Sequence, residues 1–415
     1  MSKILERLAL FQILVHLEQN NHIPDSAHGF RKGRSTTTAL LCIKEAIQNA
    51  LNNKEVAILT CLDFSKAFET IDHSVLIDKL RSLDFHRTTL RWLTSYLSDR
   101  DQFVQYNDNI SEKLTATFGV PQGTILGPVL FTIYALNLPH YINHGKCIQY
   151  ADDTQMIHTC KPAAISNTLE CVSSDIKRIK HRCKDENLIL NRKKCNFMIF
   201  ASKNMYSKYN ITANHSEILV DDEIKFSRKD ISKILGVTFD SHLSFSSHIT
   251  ETLKKCYSTL SVLKKIRNFC DFKTRKLLCE CIIFPKLDYC TILLYAQPQY
   301  LNTRIDKLLK ILASFVTKHF ASQFDLLKLK WPCSSERRDS LILKNLYLYA
   351  KNPFWPTELK SILRPQVHQL RNNECLFESG TKGSFQNIVS NFINVQPPPI
   401  RKWFANSHIC AGSNC

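Results

Sequence analysis

The stretch Cys147–His158, CIQYADDTQMIH, sets two adjacent aspartates, Asp152 and Asp153, between two strand-like runs. Adjacent carboxylates repel each other, and burying them without a partner costs several kcal/mol. Two arrangements relieve that cost. The pair is the solvated tip of a hairpin, or something cationic binds there. In both cases the segment reads as strand, turn and strand.

Upstream, VAILTCLDFSKAFETIDHSVLIDKL opens with the continuous apolar run Val56 to Leu62. That is the pattern of a strand buried on both faces, and Asp63 ends it. If this strand neighbours the pair around Asp152, then Asp63, Asp152 and Asp153 converge at one edge of a sheet. Hard oxygen ligands with open positions suit magnesium, which keeps waters and takes phosphates as further ligands. Two such ions about 3.5–4 Å apart can clamp the attacking and leaving oxygens of a phosphoryl transfer. Asp-Asp pairs are also common at exposed turns, so on spacing alone both arrangements stand.

Working further outward, an amphipathic helix is expected from the N-terminus to about Asn21. The basic loop Gly29–Arg34 then leads into a helix capped by Ser35 or Thr36, with Ala39, Ile43, Ala46 and Ala50 on its buried face. Asp72 to Ser74 cap a helix carrying Leu76, Leu80 and Leu83, and a second helix covers Thr88–Leu97. QFVQYNDNISEKLTATF reads as two strands joined by an Asn-Asp-Asn turn. The apolar run Thr124–Pro139 reads as a buried helix, too short for a membrane span. Ile165, Leu169, Val172, Ile176 and Ile179 predict a helix over about 163–187, and Asn196–Phe200 a strand. SKILGVTFDSHLSF reads as a strand with a turn. From Ser247 the chain is helical and basic, and after Trp331 the pattern weakens. Mixed strands and helices followed by helices indicate an α+β region with an α-helical appendage.

The chain has 415 residues and a formal net charge of +18, which points to a polyanionic partner, nucleic acid foremost. With 44% hydrophobic residues and only 10 glycines it is not a low-complexity chain. Its 16 cysteines lie scattered in apolar segments without a C-x-x-C framework. Glu6, Arg7 and His16 break the N-terminal apolar run, so no signal peptide is read there. Buried, reduced thiols in an intracellular protein, nuclear or cytoplasmic, are expected. His408, Cys410 and Cys415 fit no common zinc spacing and are read as part of a tail.

YADD, the upstream LDFSKAF, the intervening GVPQGTILGP and the early HGFRKGRST occur in one order. Together they resemble the reverse transcriptases of non-LTR (LINE-type, jockey-like) retrotransposons, over about residues 1–330. The resemblance implies a right-hand polymerase: partial fingers over 1–55, an antiparallel-sheet palm with inserted fingers elements over 56–245, a helical thumb over 246–330, and a mostly helical C-terminal region over 331–415. It implies that Asp63, Asp152 and Asp153 ligate two Mg²⁺ ions, for which Mn²⁺ could substitute. Phe68 matches the aromatic that lies under the incoming sugar and excludes a 2′-hydroxyl. Gln122 and Gly123 match the loop against the incoming nucleotide and template.

Arg31, Lys32 and Arg34 stand where the family contacts template backbone or nucleotide phosphates, a task suited to guanidinium groups. Lys194 matches the lysine that protonates or neutralises the departing pyrophosphate, although Arg192 replaces the family's proline and Cys195 its small hydroxyl residue. Leu235 and Gly236 match the segment gripping the primer end. The implied partners are an RNA template, a DNA primer and deoxynucleoside triphosphates, with a separate endonuclease or element RNA as a further associate and no membrane. The family's nuclease and first fingers motifs are expected to lie upstream of MSKILERL. A catalytically weak or inactive nucleic-acid-binding protein is the alternative expectation.

Overall fold

A computed structural model describes residues 2–121, 123–211, 215–221, 224–295 and 298–351, with isolated residues among 355–393. Gln122, the extended Gln396–Phe404 segment and the His408, Cys410 and Cys415 group lie outside the described residues. The chain divides into two compact units, Met1–Ala39 with Asn53–Lys229, and Leu40–Asn52 with Asp230–Cys415. Residues 40–52 therefore group with the C-terminal half of the chain, where the sequence reading had set them with the first fifty-five residues.

The first unit is built on one sheet. Its strands are β1 (Val56–Leu62), β2 (Lys146–Tyr150), β3 (Asp153–Cys160), β4 (Asn196–Phe200), β5 (Glu217–Leu219) and β6 (Lys225–Arg228), in the spatial order β5-β6-β4-β1-β3-β2. Every pairing is antiparallel except β4 with β6. The α+β class with an antiparallel sheet is thus observed. β1 lies in the middle and is buried along nearly its whole length, as its unbroken apolar run requires. The run Ile58↔His158, Thr60↔Met156, Leu62↔Thr154 fixes its register with β3, so the end of β1 meets the start of β3.

Helices cover the sheet: α1 (Ser2–Gln19), α3 (His73–Ser82), α4 (Arg87–Leu97), α5 (Gly127–Tyr134) and α6 (Ile165–Asp185), while α2 (Thr36–Asn52) falls mostly in the second unit. Ile13, Leu17, Leu76, Leu80, Leu93, Phe131, Val172, Ile176 and Ile179 join Val56, Ile58 and Phe197 in one core. The Asp72 carboxylate accepts from the Ser74 and Val75 N–H groups and starts α3, as its sequence position predicts. Asp175 of α6 is fully buried. It accepts from His158 of β3 and from His144, Arg178 and the Asn143 and His144 backbone, which ties the lead-in to β2 onto the helix.

The expected helix over Thr124–Pro139 is shorter than its apolar run. α5 stops at Tyr134, and Leu138–Tyr141 forms a single 3-10 turn. Gly127 and Pro128 mark where α5 begins, because proline fits only the first turn, and Pro139 prevents α5 from continuing. The hairpin expected over 102–118 is present as two short ladders, Asp101–Gln102 with Leu114–Thr115 and Gln105–Tyr106 with Asn109–Ile110.

In the second unit β7 (Ile231–Ile234) and β8 (Val237–Asp240) form a separate hairpin. Leu235 and Gly236 are its turn, not part of a continuous strand. Helices α7 (Ser246–Lys265), α8 (Gln299–Thr317) and α9 (Ser334–Lys351) follow, so regular helix continues past Trp331. Lys44 of α2 is buried here, donating to the Leu293 carbonyl at 2.6 Å with its ammonium 3.3 Å from the Tyr295 ring centre. Cys42, Cys61, Cys147 and Cys290 are free thiols. No helix among the described residues is long and apolar enough to cross a membrane.

Candidate active site

Sheet register brings the acidic residues together. Leu62 of β1 pairs with Thr154 of β3, so Asp63 and Asp153 occupy adjacent positions at one end of neighbouring strands. Tyr150 of β2 pairs with Asp153, which leaves Ala151 and Asp152 as the tight turn, with Ala151 at φ 56°. Both carboxylates of the opening stretch therefore sit at the sheet end where β1 delivers Asp63.

Their electrostatics reflect this. Burial, then the charges of Asp152 and Asp63, push the Asp153 carboxyl up to about 6, against the opposing pull of Lys194. Lys194 Nζ lies 3.3 Å from Asp63 Oδ2. The other oxygen, Asp63 Oδ1, is buried and has no hydrogen-bond partner. Among the described residues no three acidic, His or Cys side chains stand close enough to form a ready metal cage. The three carboxylates share one sheet end, but Asp63 turns towards Lys194. Mutual repulsion favours such a partner over a tight acidic cluster.

The backbone of Asp63 is held by the segment after α6. Its N–H donates to Cys195 Sγ at 3.3 Å, and its carbonyl accepts from the Asn191 N–H at 2.8 Å and the Cys195 thiol at 3.7 Å. Burial pushes that thiol up to about 11, so Cys195 stays protonated and able to donate. The sequence reading noted Cys195 only as a departure from the family pattern. Its contact with Asp63 arises because β1 and β4 are antiparallel neighbours.

The basic loop reaches the same turn. The His28 N–H donates to the Gln149 carbonyl and the Gln149 N–H to the Ser26 carbonyl, both at 2.8 Å, extending the sheet beyond β2. A Cβ on Gly29 would lie 2.5 Å from the Ala151 nitrogen, so only glycine lets the loop pass. Arg31 is engaged elsewhere, bidentate to Glu18 at 2.7 and 2.9 Å and bonded to the Pro24 carbonyl. Arg34 pairs with Asp25. Both guanidinium groups thus brace the loop, while Lys32 is exposed.

The GVPQG segment is built on two supports. Gly119, at φ 82°, lies where a Cβ would come 2.9 Å from the Glu69 carbonyl oxygen, so this loop starts directly against the turn after LDFSKAF. At its other end Glu6, buried on α1, accepts from the Ile125 and Leu126 N–H groups. In one dimension Glu6 is only a carboxylate breaking an apolar stretch. Gly123 has φ 78° and open space around its missing side chain. Phe68 is partly buried, packing on Phe131 with ring centres 4.7 Å apart, and its carbonyl accepts from the Val120 N–H.

Residues 1–239 match the family model described as reverse transcriptase (RNA-dependent DNA polymerase). The chain belongs to this family. Among curated proteins, it is 27% identical over 278 residues to a probable RNA-directed DNA polymerase from transposon BS of Drosophila melanogaster, covering 65% of this chain and 29% of that protein. It is 28% identical over 259 residues to the RNA-directed DNA polymerase from mobile element jockey of the same species, covering 60% and 27%. The chain therefore spans less than a third of the length of these relatives. Among solved structures, a telomerase from Candida tropicalis in complex with a fragment of telomeric RNA aligns with TM-score 0.41 and 12% identity, over 86% of this chain and 55% of that one.

Reverse transcriptases generally use divalent metal ions. The donor set at this sheet end fits one: carboxylate oxygens, one of them the unpartnered Asp63 Oδ1, beside the Asp153 carboxyl that burial and then its acidic neighbours keep hard to ionise. Leu235 and Gly236, which the resemblance set at the primer end, lie in the second unit, on the β7–β8 turn.

Proposed function

We propose that this reverse-transcriptase chain is an RNA-directed DNA polymerase, extending a DNA primer on an RNA template with deoxynucleoside triphosphates. The observation that carries the reading is the unpartnered Asp63 Oδ1 beside Asp153, at the sheet end that also bears Asp152. Asp63, Asp152 and Asp153 would hold two Mg²⁺ ions, with Mn²⁺ as a substitute. Bound there, such ions lower the pKa of the primer 3′-hydroxyl and neutralise charge on the α-phosphate and the leaving pyrophosphate.

The chain's own residues do the rest. Cys195 and Asn191 fix the Asp63 backbone, so only its side chain has to turn from Lys194 to meet an ion. Lys194, largely exposed where it pairs with Asp63, neutralises or protonates the departing pyrophosphate. Phe68, backed by Phe131, lies under the incoming sugar and leaves no room for a 2′-hydroxyl. Gln122 and Gly123 line the nucleotide and template. Lys32 meets phosphate directly, and Arg31 and Arg34 serve by holding its loop. The lysines of α7, Lys254, Lys255, Lys264 and Lys265, follow the backbone of the template–primer duplex without reading sequence. The sheet unit is then the palm with its fingers elements, and the helices after Ser246 the thumb.

A second reading, passive nucleic-acid binding with weak or no catalysis, is favoured by the engagement of Arg31 and Arg34 in internal ion pairs. Primer extension on an RNA template separates the two. Magnesium-dependent extension that falls at least about a thousandfold in D152A/D153A supports polymerisation. Folded protein that binds duplex with steep salt dependence yet extends nothing overturns it.

A further inference from the structure

The β7–β8 hairpin closes on a two-residue turn, since Ile234 pairs with Val237. Leu235 has φ 44° and Gly236 φ 83°. Positive φ at both central residues is the mark of a type I′ turn, where Asn-Gly is the favoured pair. Glycine at the second position is expected. Leucine at the first is not, because its Cβ crowds the following carbonyl in the left-handed region. Strain of this kind persists only where the surroundings over-determine it, and it gathers at working sites.

Here one side chain, Tyr289, bears on both turn residues. The Tyr289 hydroxyl donates to the Leu235 carbonyl at 2.6 Å. Its ring edge lies 3.1 Å from the point where a Cβ on Gly236 would stand, so glycine alone lets the ring close over the turn. Tyr289 is itself held at the end of the short helix Phe284–Asp288, with its N–H on the Pro285 carbonyl and the preceding Asp288 carboxylate taken by Arg337. In a planar trans peptide the C=O and N–H point opposite ways. With the Leu235 carbonyl captured by the phenol, the Gly236 N–H faces away from the ring on an exposed turn. The competing type II′ turn would relieve Gly236 of its positive φ and turn this peptide over, sending the N–H towards the tyrosine.

We infer that Tyr289 is a positioning residue that locks the Leu235–Gly236 peptide so that the Gly236 N–H is presented to a phosphate oxygen of the primer strand. The inference rests on the reading of this turn as the primer-gripping segment. Backbone N–H groups in such turns bind phosphate well, and a missing side chain allows close approach. No charge is neutralised by this contact, which separates it from every lysine contact in its salt dependence.

The test is equilibrium binding and steady-state extension with a short RNA template and DNA primer. Y289F keeps the ring and removes only the hydroxyl. Its affinity for primer–template should fall about three- to tenfold, the worth of one hydrogen bond. The KM for deoxynucleotide should not change, and the log–log salt slope should stay that of the wild type, whereas K254A should lower it by about one. A methylphosphonate in place of the phosphate nearest the primer terminus should weaken the wild type and leave Y289F unaffected. Adding L235N to Y289F should restore affinity, because asparagine favours the left-handed turn without help from the tyrosine. Y289F that folds and binds primer like the wild type overturns the inference, as does an equal loss for primer and nucleotide. Wild-type protein that does not bind primer–template at all overturns the polymerase reading instead, and the inference with it.

Discussion

Glu6 Oε2 accepts the Ile125 N–H at 2.7 Å and the Leu126 N–H at 3.2 Å, so a carboxylate near the start of the chain caps the segment that leads from Gly123 into α5. The acceptor is buried, and one carboxylate oxygen serves both N–H groups. Glu6→Ala should lower stability by about 2–3 kcal/mol, since buried donors left unpaired carry their full desolvation cost. Glu6→Gln keeps a carbonyl oxygen in place and should cost less than about 1 kcal/mol. Urea unfolding of the two variants checks this. Equal losses would show that the charge, and not the two hydrogen bonds, is what matters.

Gly29 and Ala151 give a second prediction. The separation of 2.5 Å that a Cβ would have from the Ala151 nitrogen cannot be absorbed by a flexible side chain, because the obstacle is backbone. Gly29→Ala should therefore displace the turn that carries Asp152. We expect a loss of about 1–3 kcal/mol from overpacking, and a fall in primer extension of about a hundredfold from misplacement of the acidic residues. A melting curve and an extension assay on the same preparation read both. Retained extension would mean that the basic loop moves without disturbing Asp152.

Lys44 supplies a pH prediction. Burial, with a further push from Arg338 and against the pull of Glu45, lowers its pKa from 10.5 to about 7. Between those two values the unfolded chain holds the proton and the folded chain does not. Stability therefore rises with pH from about 7 towards 10, by up to about 1.4 kcal/mol per unit. Below pH 7 the lysine is charged in both states, and the folded protein bears the whole cost of burying it. Lys44→Met should remove this rise, leaving a flatter profile of urea midpoint against pH. A variant with the wild-type slope would place the responsible titration elsewhere.

The sequence determined a good deal by itself. The apolar run Val56–Leu62 has the pattern of a strand buried on both faces, and the Asp-Asp pair after CIQYA reads as a turn open to solvent or to a cation. Local chemistry also dictated the Asp72 cap and the helical face from Ile165 to Ile179. These are short-range effects, in which each residue's preference and its immediate neighbours suffice.

Long-range pairing decided the rest. No spacing in the chain says that Leu62 stands opposite Thr154, and that register alone brings Asp63 to Asp153. None says that Cys195 would hold the Asp63 backbone, that Glu6 would cap a loop far along the chain, or that Arg31 and Arg34 would find Glu18 and Asp25 before any phosphate. A charged group takes whichever partner the folded chain brings nearest, and desolvation makes that choice binding. The residue types at the site were therefore readable in one dimension. Which carboxylates meet, and which cations stay free for a polyanion, followed only from how the antiparallel strands and the helices of α1 and α6 close around β1.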